Sequence, residues 1–349
     1  MGGNLLKTWG LPEKRLSASD YEKLKHDLLV KLAEDTYCHY PYPLNVAVAS
    51  ALRNKESHGD LDILFGSYGP DSMEWKGEKD FYKYAEKEWG VKPHRNSNVI
   101  SFPVDGFQVD VTFIPYNDFP SAIAYTSWGD LGNLMGRIFH KMGLHYGHLG
   151  LQFWIRQGMF DKNIAWSDSD HIYEKCTLSR DTKEIFEIGG FDYERWLLGF
   201  DTEEQAFDFV TSSKYFDSSL FELENLNHTN RTRNRKRGMY MRFIEYLKDK
   251  TFEGKEKILD KDTYSILYQL RFPYLAQQVA KYRLFHDMQK VIKAKFNGKL
   301  VCEWVGTEDG PTIGKLVRAV KEQYTNEMLL VTDQAKIQQF VLETFKAMQ

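Results

Sequence analysis

The segment Gly59-Asp60-Leu61-Asp62-Ile63-Leu64-Phe65, followed later by Val109-Asp110-Val111-Thr112-Phe113-Ile114, constrains this chain more than any other feature. Successive side chains of a β-strand alternate between faces, so Asp60 and Asp62 point one way while Leu61 and Ile63 point into a core. Carboxylates side by side repel and resist ionising together unless a cation lies between them. Asp110, on a second apolar strand, offers a further oxygen ligand of the kind that holds Mg2+ beside substrate phosphates. The combination points to phosphoryl or nucleotidyl transfer.

Around these strands the pattern is mixed. Ser17-Ala18-Ser19-Asp20, then Tyr21, Leu24, Leu28, Leu29 and Leu32, predicts a capped amphipathic helix ended by Pro41 and Pro43. Val46 to Ser50 reads as a strand that pairs with the Asp60 strand through a polar connection. A Gly/Pro/Ser loop after Gly66 leads into a helix from Lys79 to Trp89. Val99–Phe102 and Phe107–Ile114 flank Asp105-Gly106, a hairpin turn signal. Tyr125 to Gly158, rich in Gly, His and aromatics, reads as helix, turn, then strand or helix. Helices are expected over Phe186–Leu198, Glu203–Val210, Met239–Lys250, Tyr264–Phe296, Ile313–Tyr324 and Asp333–Met348. The expected fold class is α+β, a mixed or antiparallel sheet with helices followed by a mainly helical C-terminal body.

Composition supports a globular chain: of 349 residues, 15% are aromatic and 27% charged, and the net charge of −3 carries no global nucleic-acid signal. Basic surface must therefore be local, and Arg231-Thr232-Arg233-Asn234-Arg235-Lys236-Arg237, followed by Tyr240, Arg242 and Phe243, is the dense run. It reads equally as a solvated loop or as a surface that neutralises backbone phosphates. Cys38, Cys176 and Cys302 form no CxxC pair and argue for a reducing compartment and against a zinc site. His140, His145 and His148 share no helical face if Gly143 and Gly147 break the segment, so they read as core or substrate-lining histidines. The N-terminus has no signal-peptide core and lacks the Ser or Thr of a myristoylation signal, and no apolar run is long enough to span a bilayer. A soluble, cytoplasmic or otherwise intracellular protein without a membrane partner is the expectation.

Ala49-Ser50, then Arg53, then Gly59-Asp60-Leu61-Asp62 resembles the palm motif of DNA polymerase beta-like (family X) nucleotidyltransferases, over roughly residues 44–155. The resemblance implies that Ser50, Arg53 and the backbone at Gly59 hold an incoming triphosphate. It implies that Asp60 and Asp62 bind two Mg2+ ions, or Mn2+ in their place, and that Asp110 is a metal ligand or general base for a 3′-hydroxyl. A hydroxyl, a guanidinium and an unobstructed backbone are suitable partners for phosphate oxygens. Ala49 departs from the family's Gly, placing a Cβ where the triphosphate nears the backbone. Tyr125-Thr126-Ser127-Trp128-Gly129-Asp130 and Asn133 resemble the family's nucleotide-binding floor, which assigns Tyr125, Asp130 and Asn133 to the nucleotide. Lys141 to Leu151 resembles the hairpin that follows, and Arg137 a template-side arginine. No counterpart of the family's amino-terminal DNA-binding units stands in the first forty residues.

The tail, Phe296-Asn297-Gly298-Lys299-Leu300, Gly306 and Gly310-Pro311-Thr312-Ile313-Gly314-Lys315, resembles that of CCA-adding and poly(A) polymerases, although Gly-Pro before an apolar-periodic run also reads as a plain helix start. The expected organisation is an N-terminal helical segment (1–40), a palm (41–118), a nucleotide-floor or thumb-like segment (119–182) and a helical body (183–349). The expected activity is transfer of NMP or dNMP from a nucleoside triphosphate to a nucleic-acid 3′-hydroxyl. Arg137, Arg231, Arg233, Arg235, Lys236 and Arg237 are the candidate nucleic-acid contacts. The acceptor stays open between a DNA primer and a tRNA or other RNA 3′ end. Nucleotide transfer to a protein or small molecule, and a noncatalytic nucleic-acid-binding module, stand as alternatives.

Overall fold

The computed structural model describes Leu6, Gly10 and residues 14–39, 44–67, 76–161, 163–164 and 170–349, with side chains undescribed at 35–39, 44, 67 and 76–80. The chain divides into two units, one of Met1–Trp154 and Lys175–Ile266, the other of Ile155–Glu174 and Leu267–Gln349.

The first unit is built on a mixed sheet of β2 (Leu44–Val48), β4 (Asp60–Ser67), β5 (His94–Asn96), β6 (Val99–Val104) and β7 (Phe107–Pro115), in the order β2-β4-β7-β6-β5. A short ribbon pairs β1 (Leu16–Ser17) with β3 (Ser57–His58). β4 and β7 run parallel, joined by a crossover through helix α2 (Lys76–Trp89) and the β5–β6 strands, whereas the other neighbours are antiparallel. Their register sets Asp62 opposite Asp110 and Leu61 opposite Val109. Asp105 and Gly106, with φ of 50° and 79°, make the turn between β6 and β7, as expected from their sequence.

One face of the sheet is apolar throughout. Leu61, Ile63 and Phe65 from β4 join Val109, Val111 and Phe113 from β7, covered by Tyr21, Leu28 and Leu32 of helix α1 (Ala18–His39) and by Phe81 and Ala85 of α2. The Ser17 hydroxyl accepts from the Asp20 amide at 3.2 Å and caps α1 as its sequence predicts. Pro41 and Pro43 lie outside the described residues, as does most of the loop after Ser67. The opposite face changes character along its length. At the C-terminal half of the strands Leu64 and Ile114 pack on Phe119 and Ala122 of α3 (Phe119–Thr126), while at the N-terminal half Asp60, Asp62 and Asp110 stand without that cover.

After α3 come α4 (Leu131–Lys141) and a three-stranded sheet of β8 (Leu144–Gly147), β9 (Gly150–Arg156) and β10 (Ile172–Ser179). The helix expected over Phe186–Leu198 is two, α5 (Thr182–Gly189) and α6 (Tyr193–Leu197), because Gly190 takes a left-handed conformation that ends the first. The unit continues with α7 (Glu203–Ser212), α8 (His228–Arg235) and α9 (Gly238–Leu247). The basic run is therefore largely helical, started by the Asn227 side chain accepting from the Asn230 amide at 2.9 Å.

The expected Tyr264–Phe296 helix is likewise two, α10 (Lys261–Arg271) and α11 (Pro273–Lys295), since Pro273 has no N–H to continue the hydrogen-bond ladder but fits a first helical turn. In the second unit α11 is followed by α12 (Gly298–Val305), α13 (Gly310–Gln323), α14 (Asn326–Val331) and α15 (Gln334–Met348). Val301, Leu316, Val320, Ile337 and Val341 form their core with Ile292 and Phe296. Asp309 caps α13 through the Thr312 amide at 2.9 Å, so Gly310-Pro311 is a helix start. The fold class is mixed α+β with a helical C-terminal body, as expected. Among the described residues no helix is long and apolar enough to cross a membrane.

Candidate active site

The parallel register of β4 and β7 brings the three predicted carboxylates together: one oxygen from each of Asp60, Asp62 and Asp110 lies within 4.8 Å of the others. Asp60 and Asp62 share a face because they are two residues apart on one strand; Asp110 joins them because it is the register partner of Asp62. Asp110 is also the register partner of Ser101 on β6, and both Ser101 and Gln108 hydrogen-bond its carboxylate, Gln108 Nε2 donating to Oδ2 at 2.8 Å. The other oxygen, Oδ1, is buried without a hydrogen-bond partner.

The electrostatics follow from this crowding. Desolvation by the surrounding protein, reinforced by Asp60 and then Asp110, pushes the Asp62 carboxyl up to about 8, even though its side chain reaches solvent. Burial likewise raises Asp110, against the two hydrogen bonds that favour its ionised form. A hard divalent cation fits this set: every donor is a carboxylate oxygen, the charges are mutually destabilising without a counter-ion, and a buried oxygen lacks a partner.

Asp60 and Asp62 line a cleft of about 1580 Å³ together with Ser50, Tyr125, Asp130, Asn133, Arg233, Lys236 and Arg237, all predicted site residues. A typical small-molecule pocket holds about 300–1,000 Å³, so this one has room for a nucleotide and a second substrate. Ser50 is fixed through its backbone: its amide donates to the Ser127 hydroxyl at 3.1 Å and its carbonyl accepts from the Trp128 amide at 2.6 Å. Ser127 is buried and donates in turn to the Ile123 carbonyl at 2.8 Å. Trp128 and Gly129, with φ of 66° and 69°, form the turn that aims these groups at the loop after β2. A left-handed Trp is an uncommon conformation, held here by Phe200 at a ring-centroid distance of 5.4 Å. Replacing Ser127 with Ala should leave the Ser50 amide without its acceptor and lower stability by about 1–2 kcal/mol in a denaturant melt.

Tyr125 is held edge-on by Tyr146 and His148, at centroid distances of 5.2 and 5.3 Å. Asp130 is ion-paired with Arg237, and Asn133 Nδ2 donates to Asn234 Oδ1 at 3.4 Å.

Other predicted residues stand elsewhere. The Arg53 guanidinium pairs with Asp201 at 2.7 Å and donates to the Leu198 carbonyl, and it lines an adjoining pocket that shares Ser50, Leu52 and Lys55 with this cleft. Gly59 is buried at the bend before β4. Arg137 donates through Nε to the Leu220 carbonyl at 3.2 Å. Arg231 is held by the carbonyls of Leu223, Glu224 and Leu226, and Arg235 is exposed outside the cleft lining. His145 stacks on Trp154 at 3.6 Å and His148 lines the cleft, burial holding its pKa down.

No protein-family model matches the chain, and no curated protein matches its sequence. Among the solved structures similar to it in part are two complexes of one polymerase. One is Leishmania infantum polymerase beta in a ternary gap complex, 13% identical with a TM-score of 0.40 over 52% of this chain and 69% of that one. The other is the same polymerase in a ternary P/T complex, 14% identical with a TM-score of 0.39 over 52% of this chain and 74% of that one.

Several cleft residues escaped the sequence reading. Lys55, His58, Asp201, Glu203 and Met239 line it, most of them from segments far along the chain whose local patterns read as ordinary helix or loop. Gln108 carried a signal that was legible, since a residue two before Asp110 on a strand shares its face.

Proposed function

We propose that this chain transfers a nucleoside monophosphate from a nucleoside triphosphate to a nucleic-acid 3′-hydroxyl and releases pyrophosphate. The observation that carries the reading is the convergence of Asp60, Asp62 and Asp110, with the Asp110 Oδ1 atom buried and unpartnered, where Asp60 and Asp62 line a cleft that also holds basic side chains. Asp60, Asp62 and Asp110 would hold divalent ions, which when bound would supply Lewis-acid stabilisation of the triphosphate and lower the pKa of an acceptor hydroxyl. Gln108 and Ser101 hydrogen-bond the Asp110 carboxylate and fix it beside Asp60 and Asp62, leaving Oδ1 without a protein partner. Ser127 and Trp128 fix Ser50 at the cleft wall, where its hydroxyl is available to a phosphate oxygen. Tyr125 and Asn133 border the space for sugar and base. Positioning of two substrates against prearranged charge is the main catalytic resource for phosphoryl transfer.

The test is incorporation of labelled nucleotides into primed DNA, single-stranded DNA and tRNA lacking its 3′ end, with Mg2+ or Mn2+ and each of the ribo- and deoxyribonucleotides. Divalent-dependent extension of at least one acceptor, abolished by EDTA, is the expected result. Template-directed incorporation would name a polymerase, and selective addition of C and A to tRNA would name an RNA end-adding enzyme. No extension of any of them, together with no heat of Mg2+-ATP binding, would overturn the reading.

A further inference from the structure

Resting on the nucleotidyl-transfer reading, we propose that the triphosphate in this cleft is gripped by Lys55, Arg233 and Lys236, and that Arg53 is a structural brace. The cleft's cations divide into two groups. Arg237 is ion-paired with Asp130, and Arg242 grips both oxygens of Glu203 at 2.5 and 2.6 Å. Among the described residues Lys55, Arg233 and Lys236 line the same cleft outside any ion pair, while Arg15, which lines it too, is held by the Ser57 carbonyl and hydroxyl.

Arg53 belongs to neither group. Its side chain is committed to Asp201 and the Leu198 carbonyl, its amide donates to the Phe200 carbonyl at 3.2 Å, and the Asn54 amide donates to the Asp201 carbonyl at 3.0 Å. Gly199 leaves the space that the guanidinium occupies, for a Cβ there would meet Arg53 Nη2 at 2.6 Å. The residue thus ties the 53–54 turn to the 198–201 segment through side chain and backbone together. To reach a phosphate it would have to leave a charged partner and a carbonyl.

Lys55 follows that braced turn and stands close enough to Asp62 for its charge to act on the carboxylate. An ammonium there would lie within electrostatic reach of a phosphate bound beside the acids. Arg233 and Lys236 come from the last turn and C-cap of α8. The helix dipole favours basic residues at this end but does not require that they turn towards the cleft, as these do. A triphosphate carries more negative charge than metals alone balance, and unpaired cations can meet it without first breaking an ion pair.

The experiment is calorimetric titration of the full chain with tripolyphosphate in Mg2+, alongside fluorescence titration with a labelled single-stranded oligonucleotide. Lys55→Gln and Lys236→Gln should each weaken tripolyphosphate binding by about tenfold or more, the loss of one charge-assisted contact, with Arg233→Gln following them. Arg53→Gln should weaken it less than Lys55→Gln does, and should instead lower the melting temperature. A larger affinity loss in Arg53→Gln, or a loss of oligonucleotide affinity alone in the Lys236 and Arg233 variants, would overturn the assignment, the second outcome giving those residues to the acceptor backbone. Failure of the wild-type chain to bind either tripolyphosphate or Mg2+-ATP would strike the nucleotidyl-transfer reading itself. Circular dichroism melts of each variant separate lost contacts from lost fold.

Discussion

Replacing Asp62 or Asp110 with Asn should abolish nucleotide incorporation, by on the order of 10³-fold or more, while making the metal-free protein more stable. The two effects share one cause. Asp60, Asp62 and Asp110 crowd within 4.8 Å, and desolvation with the neighbouring carboxylates raises Asp62 to about 8. An acid whose pKa is raised on folding holds its proton better in the folded chain than in the unfolded one. Below the ordinary value of 3.8 both states are protonated; as pH rises towards about 8 the unfolded chain ionises first, and stability falls across that window. The Asp62→Asn change removes the titration and should flatten the curve. Because Asp62 reaches solvent in the cleft, the expected gain at pH 8.5 is on the order of 1–2 kcal/mol rather than the full equivalent of the shift. Thermal melts in EDTA at pH 5 and 8.5 measure it, and Mg2+ should raise the melting temperature of the wild type far more than that of either variant. A wild type indifferent to Mg2+, or an Asp62→Asn variant with ordinary turnover, would contradict this account.

The second large effect is expected at Gly132. In an exposed helix Gly→Ala stabilises by about 1 kcal/mol. Here α4 packs so closely on the end of α3 that a Cβ at 132 would overlap the Tyr125 carbonyl oxygen and sit 2.8 Å from Tyr125 Cδ2. A backbone oxygen cannot swing aside as a side chain can, so overpacking, typically about 1–3 kcal/mol and occasionally more, outweighs the helix propensity. Gly132→Ala should therefore lose about 2 kcal/mol net, a fall of roughly 4–8 °C in melting temperature for a unit of this size. It should also raise the KM for nucleotide, because the displaced residue is the aromatic that borders the cleft. An unchanged or raised melting temperature would mean that α4 can slide away from α3.

What the sequence made legible was local. Period-two alternation around Asp60 and Asp62 separated an acidic face from an apolar one, and Asp105-Gly106 announced its hairpin; both depend on neighbours within a few residues. The parallel pairing of β4 with β7 was not legible, since strand partners separated by a crossover leave no mark on either strand. Nor was the commitment of Arg53 to Asp201, which comes from a segment far along the chain. The basic run shows the same limit within one helix: its composition suggested a charged surface, but only the fold shows Arg231 tied to carbonyls, Arg237 tied to Asp130, and Arg233 and Lys236 turned to the cleft.

The register that joins β4 to β7 also acts as a proofreading device for the chain's own folding. Side chains alternate with a period of two, so a slip of one residue in β4 would turn Asp60 and Asp62 in among Phe81, Leu28 and Leu32 and put Leu61 and Ile63 in the cleft. Such a chain would forfeit its core as well as its acids. A protein that has packed the apolar side of this sheet has thereby already placed its carboxylates, and a separate population of well-folded molecules with misaligned acids has no stable structure to occupy.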